Sequence, residues 1–262
     1  MKKLFPIAFT ACLSFAALLS LSCEKEDTDE ISSDKVKKGV EKYVITDTKT
    51  IEYIDLGLPS QTLWATCNVG ATSPEQDGFY FSWAETEPKQ TYNLDTYKWI
   101  MDGDQFCFTK YCLDDQRGYQ GFKDNLRTLA KDDDPAIHYI DSIWHTPTSK
   151  DFEELNYWCT KKACKLNGTW GYLFTSTCEG STDRSLFIPL AGFYDSLIGS
   201  SNSQKSKFGY YWANTLYGDQ MIYGAAFVLQ RKDGLENSSM KFSDRYRGLP
   251  VRAVAKGSLV KK

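Results

Sequence analysis

The chain has 262 residues, with 31 basic against 34 acidic side chains, a formal net charge of −3 and 15% aromatic residues. Nothing in that balance favours a nucleic-acid partner, and with two histidines and no CxxC pair a cysteine and histidine zinc site is not expected. No GxSxG, Walker loop or GxGxxG occurs, so neither an enzymatic activity nor a cofactor is expected.

Met1-Lys2-Lys3 opens a largely apolar run from Leu4 to Leu21, and polarity returns at Cys23. A basic end, a short apolar stretch and a small-residue exit make residues 1–22 an export signal; a membrane span would need about 20 apolar residues. Ser22-Cys23 is similar to the exit of a bacterial lipobox, whose cysteine carries acyl chains such as palmitate. Ser20 stands where leucine is usual, and Ser20-Leu21-Ser22 also fits an ordinary signal-peptidase site. Lipid attachment at Cys23 is the preferred reading, because a cysteine at the exit of a signal would otherwise be a coincidence. It implies a membrane partner through a lipid anchor. Residues 23–50 are charged and read as a tether that firms up near "KYVIT"; flexible chain of that length spans about 30 Å.

Residues 51–262 read as a single domain. Turn signals recur closely, as in "NVGATSPEQDG", "ETEPKQ" and "RKDG", and short apolar or aromatic runs lie between them, as in "TLWATCNV", "GFYFSWAE", "SLFIPLAGFY", "GYYWANTLY" and "YGAAFVLQ". One helix is expected in "PTSKDFEELNYWCTKKACKLNG": Thr148 can cap it, Asp151 completes a capping box, Phe152, Leu155 and Cys159 share a face, and Gly168 is a stop signal. A second helix is read in "FKDNLRTLAKDDDPAIHY". The class is α+β: short antiparallel strands, one or two helices and long loops. Cys67, Cys107, Cys112, Cys159, Cys164 and Cys178 allow 15 pairings or six buried free thiols, and spacing does not choose.

Asp132-Asp133-Asp134 is the carboxylate run to weigh for calcium, but it lacks EF-hand alternation, and a solvated or capping acidic turn is preferred; no metal site is expected. His145 beside Glu153 and Glu154 is read as a structural hydrogen bond rather than an acid/base group. "NGT" at Asn167 and "NSS" at Asn237 read as turns. Tyr210, Tyr211, Trp212 and Tyr217 are the rings that could stack on a ligand, against the alternative that they are core.

The phrases "YIDLGLPSQTLWATCNVGATSPEQDGFYFSWAETEPK", "YNLDTYKW", "DDDPA", "WHTPTSKDFEEL", "LFIPLAGF", "GYYWANTLY" and "YRGLPVRAV", in this order from about Tyr53 to Val254, resemble the Fibrobacter succinogenes major paralogous domain family. The resemblance implies a C-type-lectin-like fold, an exported bacteroidete lipoprotein of the outer membrane, and Trp64, Pro147, Thr148, Trp212 and Arg252 as fold determinants. The acids Glu24, Glu26, Asp27, Asp29 and Glu30 are similar to signals that send such lipoproteins to the outer face. "DSIWHTPT" departs from the family's Gly-Gly-x-Trp-Arg-x-Pro-Thr. Glu87-Pro88-Lys89 and Trp212-Ala213-Asn214 lack the oxygen ligands of a lectin calcium site. The function expected is a surface binding or adhesion module for a glycan or a surface protein, with an accessory subunit of a filament or polysaccharide-uptake assembly as the alternative.

Overall fold

The computed structural model describes residues 29–260, apart from 105, 200, 201, 203, 233 and 234 and the side chains of 232, 235 and 236. The export signal and the lipid site Cys23 lie outside the described residues.

Residues before the boundary expected at 51 already take part in the fold. Glu30 bridges to Lys165. Helix α1 (Asp34–Lys37) sinks Val36 into a small cluster with Leu173 and Phe187. Strand β1 (Val40–Thr46) then pairs antiparallel with β2 (Lys49–Asp55). The isolated apolar residues Ile31 and Val36 find partners far along the chain, and "KYVIT" and "IEYID" are β-branched and aromatic runs either side of a tight turn. What reads as tether is therefore largely part of the domain.

Strand β3 (Thr62–Ala65) follows, then a long stretch of loops, helix α2 (Pro135–Tyr139), strand β4 (Trp144–His145) and helix α3 (Ser149–Trp158). Strands β5 (Cys159–Leu166), β6 (Thr169–Ser176) and β7 (Ser185–Pro189) form one meander, and β8 (Phe208–Tyr217), β9 (Gln220–Lys232) and β10 (Leu235–Asp244) a second. Strand β11 (Val254–Lys256) returns to lie between β3 and β4, so the first and last strands share one sheet of order β1-β2-β3-β11-β4. Among the described residues the named strands pair antiparallel throughout, giving three sheets and a few short helices.

Helix α3 begins where its sequence places it. Thr148 Oγ1 accepts from Asp151 N, and Asp151 Oδ2 accepts from Thr148 N, so both halves of the capping box form. It ends at Trp158, earlier than expected. Cys159 opens β5, and Gly168 is not a helix stop but half of a two-residue hairpin loop. Asn167 and Gly168 both have positive φ, 48° and 76°, and Leu166 pairs with Thr169 across them. Asn-Gly is the favoured pair for this turn. The second helix shortens to α2, because Asp134 caps it and Pro135 supplies a preset φ at the first position. "GFYFSWAE" pairs only at single points, such as Phe81 with Leu249.

Alternation along the strands divides two aromatic cores. On β8, Tyr211 enters a core with Trp64, Phe152, Phe174 and Phe227, while its neighbour Trp212 enters another with Trp83, Tyr111 and Trp144. On β3, Leu63 and Ala65 join the second core while Trp64 joins the first.

Candidate ligand-binding site

Two of the four rings read as ligand platforms are core. Tyr211 is fully buried and its hydroxyl donates to Pro189 O at 2.7 Å. Trp212 is 1% exposed and its Nε1 donates to Phe81 O at 2.7 Å. Both faces of β8 are covered at this point, so alternation cannot bring either ring to solvent. Tyr210 is half-buried, its ring set edge-on to Phe193 at 4.8 Å.

Tyr217, at the end of β8, is half-buried and packs against the edge of the first core. Its ring lies 5.5 Å from Phe242 on β10, and Tyr223 on β9 lies 4.6 Å from the same Phe242 ring. Phe242 is 50% exposed. The three rings form a strip beyond the part of the sheet that α3 covers. The spacing Met240-Lys241-Phe242 carries the signal for this face, since alternate residues point the same way.

The acidic triplet is taken apart rather than gathered. Asp133 is buried and accepts from Lys110 Nζ and Tyr111 OH, each at 2.5 Å. Asp134, also buried, accepts from Ala136 N at 2.9 Å, Thr146 N at 2.9 Å and Thr146 Oγ1 at 2.7 Å. Burial pushes the Asp134 carboxyl up, and the Thr146 and Ala136 hydrogen bonds pull against it. Asp132 stays in solvent. Among the described residues no three carboxylate, thiol or imidazole groups gather as metal ligands. His145 Nδ1 lies 2.9 Å from Thr146 O, while Glu154 is turned to the Ser60 backbone N–H at 2.8 Å. The six thiols Cys67, Cys107, Cys112, Cys159, Cys164 and Cys178 are unbridged.

On the other side of the β8–β9 turn lies an open cleft of about 510 Å³. Leu113, Met221 and Ile222 form its apolar lining, and Asp114, Arg117, Arg127 and Asp219 carry its charges. One wall is the loop from 106 to 127, which exposes Phe106, Tyr119, Phe122 and Leu126. Sequence reasoning misses this cleft, because its walls come from segments about ninety residues apart.

Arg245 ties the two walls together from behind. It is 1% exposed, and its guanidinium donates to Met221 O at 2.9 Å on one wall and to Lys110 O at 3.1 Å and Tyr111 O at 3.3 Å behind the other. Nε donates to Tyr97 OH at 2.7 Å, and the rings of Trp83, Tyr97, Phe108 and Tyr111 surround the charge. The cleft is thus a preformed concavity on a fixed base. Arg252 is held in a similar way under β3, by Asn68 Oδ1 at 2.9 Å and the carbonyls of Ala65 and Thr66, and burial lowers its pKa.

The chain matches no protein-family model, no curated protein and no solved structure.

Proposed function

We propose that the protein is a lectin-like saccharide-binding module, displayed on the outer face of the cell envelope through lipid on Cys23. The observation that carries the reading is the pairing, on the two sides of the β8–β9 turn, of the exposed Phe242 ring, flanked by the half-buried Tyr217 and Tyr223, with an open cleft of about 510 Å³. The apolar C–H face of a pyranose stacks on an aromatic ring, and a cleft of this size lies in the range of small-ligand sites. An exposed ring backed by two partly exposed ones supports reading this edge as an interaction surface. The ordered phrases shared with the major paralogous domain family support a lectin-like frame, and the signal ahead of Cys23 supports the anchoring.

A glycan array probed with the mature protein, with and without calcium, tests it. Binding that falls at least tenfold in F242A, while the melting curve stays that of the wild type, is the expected result. No binding in either condition, or an unchanged F242A, refutes the saccharide reading.

A second reading, an accessory subunit of a surface assembly, is favoured by Leu197 and Ile198, which stand 61% and 65% exposed at a loop tip. A stoichiometric protein partner recovered from outer membranes supports it instead.

A further inference from the structure

We propose that the ligand is an anionic saccharide, carrying a carboxylate on its sugar ring, and that Arg117 in the cleft takes that charge. This rests on the saccharide-binding reading above and adds the charge of the ligand to it.

Four charged side chains line the cleft, and they are not equivalent. Asp114 is committed to the backbone: its Oδ1 accepts from Gln116 N at 3.0 Å and caps the turn over 115–117. Arg127 reaches Asp219 Oδ1 at 2.7 Å and Gly218 O at 3.1 Å. The side chains of that pair are 52% and 91% exposed, and ion pairs so open to water contribute little. A ligand anion can therefore displace Asp219 at small cost.

Arg117 differs from both. Its guanidinium lies 5.2 Å from the centre of the Phe106 ring, and among the described residues no carboxylate is within ion-pair reach of it. Arg117 is exposed, and the ring contact leaves its N–H donors available to a ligand. Two parallel N–H donors match the two oxygens of a carboxylate. The backbone beneath is pinned, since Phe108 N donates to Arg117 O at 2.8 Å and Tyr119 N donates to Phe108 O at 2.8 Å. Carried on a fixed wall and, among the described residues, without an ion-pair partner, Arg117 has no protein carboxylate to give up on binding. Leu113 and Ile222 offer the ring's C–H surface an apolar counterpart, with Met221 buried beneath them. The chain as a whole carries a net charge of −3, so this site is local rather than part of a general attraction for anions.

The same fork fits a sulfate ester, and the test separates the two. Isothermal titration of the mature protein would use trigalacturonic acid, its methyl ester and a sulfated galactose oligosaccharide of the same length. Expected are binding of the acid at least tenfold tighter than the ester, weakening as salt rises, and loss of that preference in R117Q. R117K should fall between, keeping the charge without the fork. Equal affinity for acid and ester, or a preference that survives R117Q, overturns the charge assignment while leaving the saccharide reading in place. Tighter binding of the sulfated sugar overturns the carboxylate. Failure of all three to bind counts against both readings.

Discussion

Replacing Arg245 with methionine should destabilise the protein by about 3 kcal/mol. Methionine keeps most of the side-chain volume but removes four donated hydrogen bonds, to Tyr97 OH, Met221 O, Tyr111 O and Lys110 O. At about 1 kcal/mol net for each bond the loss comes to about 4 kcal/mol. The surrounding rings of Trp83, Tyr97, Phe108 and Tyr111 lose a cation held 4.7 to 5.7 Å from their centres, which adds about 1 kcal/mol. Against these stands the desolvation cost of a buried cation, which the apolar side chain no longer bears, and a relief of about 2 kcal/mol brings the sum to about 3. Arg245→Lys keeps the charge but presents its donors from a single point, so it should cost about 2 kcal/mol. Urea melts followed by tryptophan fluorescence read the effect directly, since Trp83 lies against the guanidinium. With a slope of about 2 to 3 kcal/mol per molar urea, R245M should lower the midpoint by about 1 M or more. A midpoint within about 0.3 M of wild type, at that slope, would falsify the account of a carbonyl clamp behind the cleft.

Two further outcomes follow from polar contacts near α3. Thr148→Ala removes the acceptor for Asp151 N at 3.1 Å and should cost about 1 kcal/mol, read as a lower thermal midpoint, while Thr148→Ser restores it; a T148A midpoint equal to wild type rules the cap out as a contributor. Asp134 has its carboxyl pKa raised by burial, so protonation favours the folded state. That contribution is fully present below the unfolded value of about 3.9 and is lost as pH rises through the folded value. Asparagine cannot titrate, so the penalty of Asp134→Asn should be larger at pH 4 than at pH 7, and the reverse ordering in urea midpoints counts against a raised carboxyl.

Local signals in the chain are legible because their physics closes within a few residues. The Thr148–Asp151 box spans three positions, and the capping role of Asp134 rests on Pro135 and Ala136 immediately after it. The Asn167-Gly168 turn is equally local, yet it is masked: Phe152, Leu155 and Cys159 continue a helical spacing into β5, and lysines on both faces of "CTKKACKL" hide the strand's alternation. Strand-forming runs such as "GYYWANTLY" are read correctly as strands, since rings and β-branched residues fit a pleated surface.

Exposure is a different kind of quantity. Whether Tyr211 and Trp212 are platform or core depends on both faces of β8 being covered, by α3 with β6 on one side and by the loops around Trp83 and Tyr111 on the other. Nothing within ten residues of Trp212 states that. The place of residues 31–36 in the domain is hidden for the same reason: Ile31 and Val36 look stranded among charges until Cys164, Leu166 and Phe187 arrive from more than a hundred residues away. The cleft is the strongest case, since Arg117, Arg127 and Asp219 come together only through the β8–β9 turn and the clamp of Arg245. Caps, turns and strand propensity are settled by hydrogen bonds between near neighbours, and the sequence by itself determined them. Which rings face water, which aspartates are buried and where a ligand can sit are settled by burial against distant segments, and those only the tertiary structure decided.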